Sequence, residues 1–333
     1  MARFTKEIAF GAVVLAVLLT LPAITDNKWL LDFAVRVGIF SIFALSLNLL
    51  IGNTGLVSFG HGMFIGSGAY AFGIIMQRYA MPLPLAALLA VLISTALAAV
   101  TALACARLKH VYFSFLTLAI QMLFHAVILS WSSLTGGDQG LLGGVPRPPF
   151  LGINLVDPVQ FFRTAVIVFF VLMLAMRAIV LSPFGHALRL IRDNEERATA
   201  IGINTGHYRF AVFVIAGAIA SVAGVLLCIH NSGAFPEFAY WTVSGDGIFM
   251  VMLGGAQSFL GPVLGAILLI LLSDVVTSYT SHYGLFLGAT ILVAVLVLRK
   301  GLLDFLSDHL SRRSKPKSVA QPSPAERRAD VAP

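Results

Sequence analysis

"FAVFVIAGAIASVAGVLLCIH", residues 210–230, is an apolar run without a single Asp, Glu, Lys or Arg. A helix of about 20 such residues, rising about 1.5 Å per residue, matches the ~30 Å hydrocarbon core of a bilayer. Comparable runs recur along the whole chain of 333 residues, which is 58% hydrophobic and only 11% charged. A soluble protein of this length needs a charged surface that the chain lacks. The sequence therefore predicts an all-α polytopic membrane protein.

Working outward from this run, we interpret ten apolar segments as transmembrane helices. The eighth is too short to cross a bilayer alone, which predicts a broken or re-entrant helix held inside the bundle. Ten crossings place both ends of the chain in the cytoplasm. The segments are 8–24, 30–51, 62–77, 85–106, 111–131, 164–183, 210–230, 247–258, 262–281 and 284–298.

The distribution of basic residues supports this layout, because cytoplasmic loops of membrane proteins are enriched in Lys and Arg. Of the 22 Lys and Arg, sixteen fall on the assigned inner side, five fall on the outer side (Arg36 among them, near the outer end of a span), and Arg177 lies within a span. Without the eight in the C-terminal tail the ratio is eight to five. The net charge of +7 is therefore interpreted as a signal for membrane orientation and not for nucleic-acid binding.

The two ends of the chain carry signals of their own. Arg3 and Lys6 before the first apolar segment fit a signal peptide, but no A-x-A cleavage site follows, so we expect the segment to be retained. The transmembrane domain then covers 1–310 and includes a long outer loop at 132–160, rich in Gly and Pro. The basic, Pro-rich tail at 311–333 is expected to be disordered in the cytoplasm.

The most hydrophilic long stretch, "LRLIRDNEERATAIGINTGHYRF" at 188–210, separates two apolar runs. Its apolar positions recur at helical separations of three, seven and three residues, and most charges lie on other faces. Helices that lie on lipid headgroups are usually strongly basic, so the mixed charge favours docking onto another protein. Gly202 is suited to end the helix, since this position often needs a left-handed residue. The apolar positions are Leu188, Ile191, Ala198 and Ile201.

Four stretches resemble the membrane permeases of branched-chain amino-acid ABC importers, and they occur in order along nearly the whole chain. "GNTGLVSFGHGMFIGSGAY" (52–70) resembles that family's early Gly-rich segment. "FSFLTLAIQML" (113–123), followed by "TGGDQGL" (135–141), resembles its middle span and outer loop. "RDNEERATAIGIN" (192–204) resembles its cytoplasmic coupling segment, and "MLGGAQSFLGPVLGA" (252–266) resembles its late Gly-rich turn.

This resemblance implies the fold of a type II ABC importer permease, and the length and outer loop fit its longer, M-type subunit. It also implies that residues 185–209 form a coupling segment that passes the movement of an ATPase to the bundle, with Arg192, Asp193 and Glu195 facing a groove of the ATPase. Arg197 departs from the pattern, which commonly has a small residue there. The residues carried over are Arg192, Asp193, Asn194, Glu195, Ala198 and Gly202.

The resemblance implies partners as well. Such importers combine a homologous second permease, two ATPase subunits and a periplasmic binding protein in the bacterial inner membrane. The sequence has no P-loop pattern G-x-x-x-x-G-K-[ST], so ATP is expected on the partner subunits, and we expect no cofactor in this chain. Branched-chain or related small amino acids are the implied substrates, and urea or short amides, which relatives carry, are the alternative.

One apolar segment carries polar residues at steps of three, four and four, which places them on one helical face. Polar groups within a bilayer usually face the bundle interior. Two interpretations stay open, because both a translocation path and interhelical hydrogen bonding need this orientation. The residues are Ser114, Thr117, Gln121 and His125.

Glycines cluster in the early and late Gly-rich stretches, where two G-x-x-x-G pairs occur. Close helix packing is the favoured interpretation, and gating of the substrate is the alternative. The similarity of "SFGHGMFIG" and "SFLGPVLG" hints at an internal repeat, which in many transporters is inverted about the membrane plane. The candidates for packing or gating are Gly60, Gly62, Gly66, Gly261 and Gly265.

Other classes of protein have less support. The sequence lacks H-E-x-x-H and G-x-S-x-G, and Cys105 and Cys228 lie within apolar runs, so we expect neither catalysis nor a metal site. An ion-coupled secondary transporter remains the alternative from a different class, with His125 as its candidate proton carrier. Acids within spans are few: Asp32 forms an i, i+4 pair with Arg36, and Asp274 is the other.

Overall fold

A computed structural model of the chain describes residues 14–22, 27–79, 81–105, 108, 110–141, 144–149 and 152–279, with short pieces between 284 and 303. Helices dominate these residues, and two short 3₁₀ turns lie among them at Gly137–Gln139 and Pro236–Ala239. The tail at 311–333 lies outside the described residues. The helices are α1 (14–22), α2 (Lys28–Thr54), α3 (Gly62–Tyr79), α4 (Leu83–Cys105), α5 (His110–Ser130), α6 (Ser132–Thr135), α7 (Pro158–Leu181), α8 (Pro183–Asp193), α9 (Glu195–Ala200), α10 (Thr205–Asn231), α11 (Trp241–Gly254) and α12 (Gly261–Tyr279).

Local sequence sets several of these helix ends. The side chain of Asn27 accepts hydrogen bonds from the first backbone N–H groups of α2, and Asp157 does the same for α7, whose first residue is proline. Gly55 ends α2 in the left-handed conformation at φ 73°. Ser182 caps α8 directly after α7, so the chain turns there without a loop. Short polar residues and glycine thus divide the apolar sequence into separate helices.

Six of the described helices are long and apolar enough to cross a membrane, so the expected polytopic architecture is confirmed. The ten-crossing layout stays a prediction, because parts of 284–298 and of 8–24 lie outside the described residues. The eighth predicted segment, 247–258, differs from the structure, where the helix ends at Gly254 because Gly255 has φ 110°. The six helices are α2, α4, α5, α7, α10 and α12.

Helix α10 lies in the core of the bundle, where it packs closely against α2, α3 and α4. Helices α3 and α10 approach to backbone contact, since a methyl group on Gly68 would overlap the backbone of Ser221 and one on Gly224 would overlap that of Ile65. Helices α4 and α5 expose apolar side chains such as Leu103 and Phe115 on their outer faces. Small residues therefore set the inner packing, and large apolar ones cover the surface available to lipid.

A network of polar side chains joins α2 to α10 and α12. The guanidinium of Arg36 donates two hydrogen bonds to Asp274, at 2.8 and 2.6 Å, and its Nε donates to Asp32 at 2.9 Å. Nε2 of His230 lies 3.3 Å from the second oxygen of Asp32. The pair expected between Asp32 and Arg36 is therefore present, and Asp274 is held by the same arginine.

Two Gly-rich turns share a local pattern. In each, a glycine with positive φ follows the first helix, Ser-Phe begins three residues later, and a glycine starts the second helix. The turns also contact each other, because a methyl group on Gly52 would overlap the carbonyl of Ala256. This likeness supports an internal repeat, while an inverted relation between the halves stays a prediction. The residues are Gly55, Ser58 and Gly62 in one turn and Gly255, Ser258 and Gly261 in the other.

Candidate functional site

The segment predicted to be one amphipathic helix consists of two short helices. Helix α8 ends at Asp193 and α9 begins at Glu195, because Asn194 has an extended conformation with φ −163°. The side-chain oxygen of Asn194 accepts a hydrogen bond of 2.9 Å from the backbone N–H of Arg197. Asparagine is a preferred N-cap, so the residue that the helical pattern treated as internal starts a new helix.

Three of the four apolar positions bury their side chains against the bundle as predicted. Leu188, Ile191 and Ala198 are almost fully buried. Ile201 differs, with 69% of its surface exposed, because α9 ends at Ala200 and the chain turns away. Gly202 follows at φ 88°, in the left-handed region predicted for it.

Two of the charges expected to face a partner are engaged within this chain. Glu195 accepts a hydrogen bond of 2.9 Å from Arg209 on α10 and one of 3.4 Å from the hydroxyl of Thr205. The Glu195 and Arg209 side chains are only 20% and 15% exposed. Arg192 donates a hydrogen bond to the carbonyl oxygen of Gly52 at the end of α2. Glu195 is therefore turned toward the bundle, whereas Arg192 bonds to the bundle and still has 31% of its side chain exposed. Contact of either residue with an ATPase stays a prediction.

Three other charged residues of the segment face water. Asp193 has 66% of its side chain exposed, and Glu196 and Arg197 are exposed as well. The apolar side chains of Leu190 and Ile201 are also exposed nearby in the sequence. We call these five residues the coupling surface, which combines mixed charge with apolar contact area.

The polar side chains predicted on one face of α5 point into the bundle. The hydroxyl of Ser114 donates to the carbonyl of Val57 at 2.7 Å, in the turn before α3. Thr117 is fully buried, and its hydroxyl donates to the carbonyl of Ser114 at 2.9 Å. The ring of His125 lies 4.9 Å from that of Tyr240, between centroids. The face therefore contacts the elements that lead into α3 and α11.

Gln121 is the best connected of these residues. Its Nε2 donates to the carbonyl of Ala239 at 3.0 Å, and its Oε1 accepts from the hydroxyl of Ser244 at 2.7 Å. The oxygen of Ser244 in turn accepts from the backbone N–H of Gly62 at 2.7 Å. These groups form a buried polar cluster that joins α5, α11, the first residue of α3 and the 3₁₀ turn before α11.

The sequence interpretation missed Ser244 and His61. His61 is fully buried between the rings of Phe43 and Phe64, and its Nε2 lies 2.9 Å from the hydroxyl oxygen of Ser46. That hydroxyl donates to the carbonyl of Phe43 at 2.7 Å, so Nε2 carries the hydrogen and donates to Ser46. The glycines on both sides of His61 were the available signal, because they leave room for a ring inside a turn.

The candidate glycines lie at close contacts between elements, where an added methyl group would overlap a neighbour. Gly60 packs on the backbone of Thr117, and Gly66 packs on Ala239. Gly265 packs on the backbone of Met250, and Gly261 on the carbonyl of Gly255. Gly62 lies against Gln121 and Ser244 in the polar cluster. These contacts support the packing interpretation, and gating stays a prediction.

The described residues form a bundle whose long apolar helices are those of a polytopic membrane protein, with the amphipathic pair α8–α9 packed against it. The family model described as "Branched-chain amino acid transport system / permease component" matches residues 29–296. The chain belongs to this family and is a membrane permease subunit of an ABC importer. No solved structure matches the chain.

Curated relatives agree over most of the chain. The high-affinity branched-chain amino acid transport system permease protein LivM of Salmonella typhimurium is 25% identical, over 85% of this chain and 72% of the relative. LivM of Escherichia coli is 25% identical, over 86% and 73% respectively. The probable branched-chain amino acid transport permease protein LivM of Methanocaldococcus jannaschii is 26% identical, over 75% and 82%.

Proposed function

We propose that this chain carries branched-chain or related small amino acids across the bacterial inner membrane. In this proposal it is paired with a homologous permease, two ATPase subunits and a periplasmic binding protein. The assignment of the substrate rests on the names of the three LivM relatives, whose matches cover 85%, 86% and 75% of this chain. Urea or short amides are the alternative substrates within the same architecture.

The observation that supports ATPase coupling is the construction of α8 and α9. A lever must be fixed to the part that it moves and free on the side that receives force. Buried Leu188, Ile191 and Ala198 fix the pair to the bundle. The ion pair between Glu195 and Arg209, in which nitrogen and oxygen are 2.9 Å apart, also attaches α9 to α10. The coupling surface stays exposed, so it is available for hydrogen bonds and apolar contacts with an ATPase.

The buried polar cluster supports a structural role for the face of α5. Both ends of the Gln121 amide have partners inside the chain, as does the hydroxyl of Ser244. A polar group that already has its bonds inside the bundle is less available to a passing substrate. We propose that Gln121 and Ser244 hold α5 to the entry of α11 in this conformation. His125 has a ring contact with Tyr240 and is left as the candidate for the translocation path.

The substrate assignment is tested with the assembled complex in lipid vesicles. Leucine, isoleucine, valine, urea and acetamide are each titrated with the binding protein, and the stimulated rate of ATP hydrolysis is measured. We expect stimulation by one or more of the branched-chain amino acids and none by acetamide. Stimulation by urea or acetamide alone would replace the amino-acid assignment with the alternative.

Uptake measurements test the class of transporter. Vesicles with ATP but without ion gradients are expected to take up substrate, because the driving force comes from hydrolysis. Uptake that follows a proton or sodium gradient, without need for ATP, would show a secondary transporter. The same preparation therefore separates the two classes.

A further inference from the structure

Arg192 joins the coupling segment to the end of α2. Its Nη1 donates to the carbonyl oxygen of Gly52, while Nε and Nη2 donate to Asp193 at 3.3 and 3.2 Å. A methyl group on Gly55 would lie 3.2 Å from the Cγ of Arg192, so the side chain runs alongside the turn that follows α2. One guanidinium thus contacts both the bundle and the exposed Asp193.

The chemistry of a helix end explains why an arginine lies there. The last four carbonyl groups of a helix lack partners within it, and the C-terminal end attracts cations. Helix α2 ends at Thr54, and the N–H of Gly55 bonds to Ile51 and Leu50, which leaves the carbonyl of Gly52 for Arg192. Helix α8 also ends beside this side chain, so Arg192 lies near the C-terminal ends of two helices.

Residues 52–62, which we call the 52–62 turn, connect the end of α2 that Arg192 contacts to the buried polar cluster. Gly52 packs against the carbonyl of Ala256 in the other Gly-rich turn. The chain then passes through buried His61 to Gly62, whose N–H donates to Ser244. A continuous set of contacts therefore runs from the coupling segment, through the 52–62 turn, to α11 and α5.

We propose that Arg192 is a positioning residue that transmits movement of α8 and α9 to the 52–62 turn. The inference rests on the proposed function, because it needs an ATPase that moves the coupling segment. Coupling between distant sites requires an element with two arrangements that both sites can bias. The turn suits this role because Gly52 allows close contact with a neighbouring backbone and Gly55 adopts a left-handed conformation. A displacement of Arg192, passed on through its hydrogen bond to Gly52, would shift the start of α3 relative to Ser244.

The test compares Arg192→Gln with Arg189→Gln in the complete complex in lipid vesicles. Arg189 lies on the same helix, and within the described part of the chain its side chain makes no hydrogen bond or ion pair with α2. For Arg192→Gln we expect the ATPase to co-purify, while stimulation of hydrolysis by ligand-loaded binding protein falls about ten-fold, within the roughly 5–150-fold range of known couplings. Arg192→Lys should recover part of the stimulation, because its amine can still donate to a carbonyl.

Two results would overturn the inference. Normal stimulation in Arg192→Gln would show that the contact transmits nothing, and loss of the ATPase from the purified complex would make Arg192 a docking residue. Hydrogen exchange of the wild-type complex gives a test that does not depend on the variant accumulating. Backbone amides of residues 53–60 should exchange at different rates in the resting and ATP-trapped states, and identical rates would also contradict the inference.

A second variant separates this inference from the docking proposal. Glu196→Lys combined with Arg197→Glu reverses exposed charges and leaves Arg192 in place. If this double variant couples normally while Arg192→Gln does not, the docking proposal fails and the role of Arg192 stands. If the double variant loses the ATPase while Arg192→Gln keeps it and couples normally, the docking proposal stands and the inference fails.

Discussion

Helix α5 and the α8–α9 segment each carry a row of polar side chains, but only the second leaves charged groups facing water. On α5, Ser114, Thr117 and Gln121 all donate hydrogen bonds to carbonyl groups within the chain. In the α8–α9 segment, Glu195 is paired inside while its neighbour Glu196 is exposed. The difference shows how one sequence separates polar groups that stabilise the bundle from polar groups that remain available to a partner.

The largest expected effect on stability comes from the polar cluster, with Gln121→Leu. This change removes the acceptor of the buried Ser244 O–H and the donor to the Ala239 carbonyl, and each unsatisfied group costs about 1–3 kcal/mol. We expect lower membrane abundance and a lower midpoint of thermal unfolding in detergent, with transport per molecule unchanged.

Met122→Leu is the matched control for this variant, because Met122 is the next residue along α5 and its side chain is exposed. Normal abundance of Gln121→Leu together with slow uptake would favour the translocation-path interpretation. In that case the polar face of α5 would not serve stability alone, and it would no longer differ in this way from the exposed charges of the α8–α9 segment.

The next largest effect on stability is expected for Glu195, the first of two adjacent glutamates in α9. Breaking a buried ion pair costs about 3–5 kcal/mol, and because Glu195 and Arg209 are partly exposed we expect about 2 kcal/mol for Glu195→Ala. Glu196→Ala, one residue away, should change the free energy of unfolding by less than about 0.5 kcal/mol. Thermal unfolding of the two variants, measured side by side, checks the contrast. Equal losses would show that the Glu195–Arg209 pair does not anchor the segment.

The smallest effect is expected at His125, whose ring lies beside Tyr240 on the face of α5. His125→Gln keeps a polar side chain but cannot carry a proton at neutral pH. In an importer driven by ATP, the dependence of uptake on pH should be the same in the variant and the wild type. A changed profile, measured in vesicles between pH 5 and 8, where histidine ordinarily titrates, would revive the proton-coupled alternative.

The comparison of α5 with the α8–α9 segment also shows which features could be predicted from the sequence. Hydrophobic runs predicted the helical membrane fold, and the helical spacing correctly placed Leu188, Ile191 and Ala198 against the bundle. The spacing could not show that Asn194 would cap a second helix, because capping depends on the local backbone conformation.

The predicted site depended on contacts that are distant in sequence. Glu195 pairs with Arg209, fourteen residues away in the sequence, and Arg192 bonds to Gly52, 140 residues away. A single sequence does not reveal which of several neighbouring charges will meet such a partner. For the same reason Ser244, which lies 123 residues from Gln121, gave no signal of its own.

We infer that the exposed charges of the α8–α9 segment serve an ATPase and not the fold. Asp193 also contacts Arg192, so the clearest variant combines Glu196→Lys with Arg197→Glu. The measurement is ATP hydrolysis stimulated by ligand-loaded binding protein, with membrane abundance determined in parallel. We predict normal abundance and loss of stimulation, because like charges would meet at the contact, at a cost of roughly several kcal/mol. Normal abundance with full stimulation and an ATPase that still co-purifies would contradict the claim.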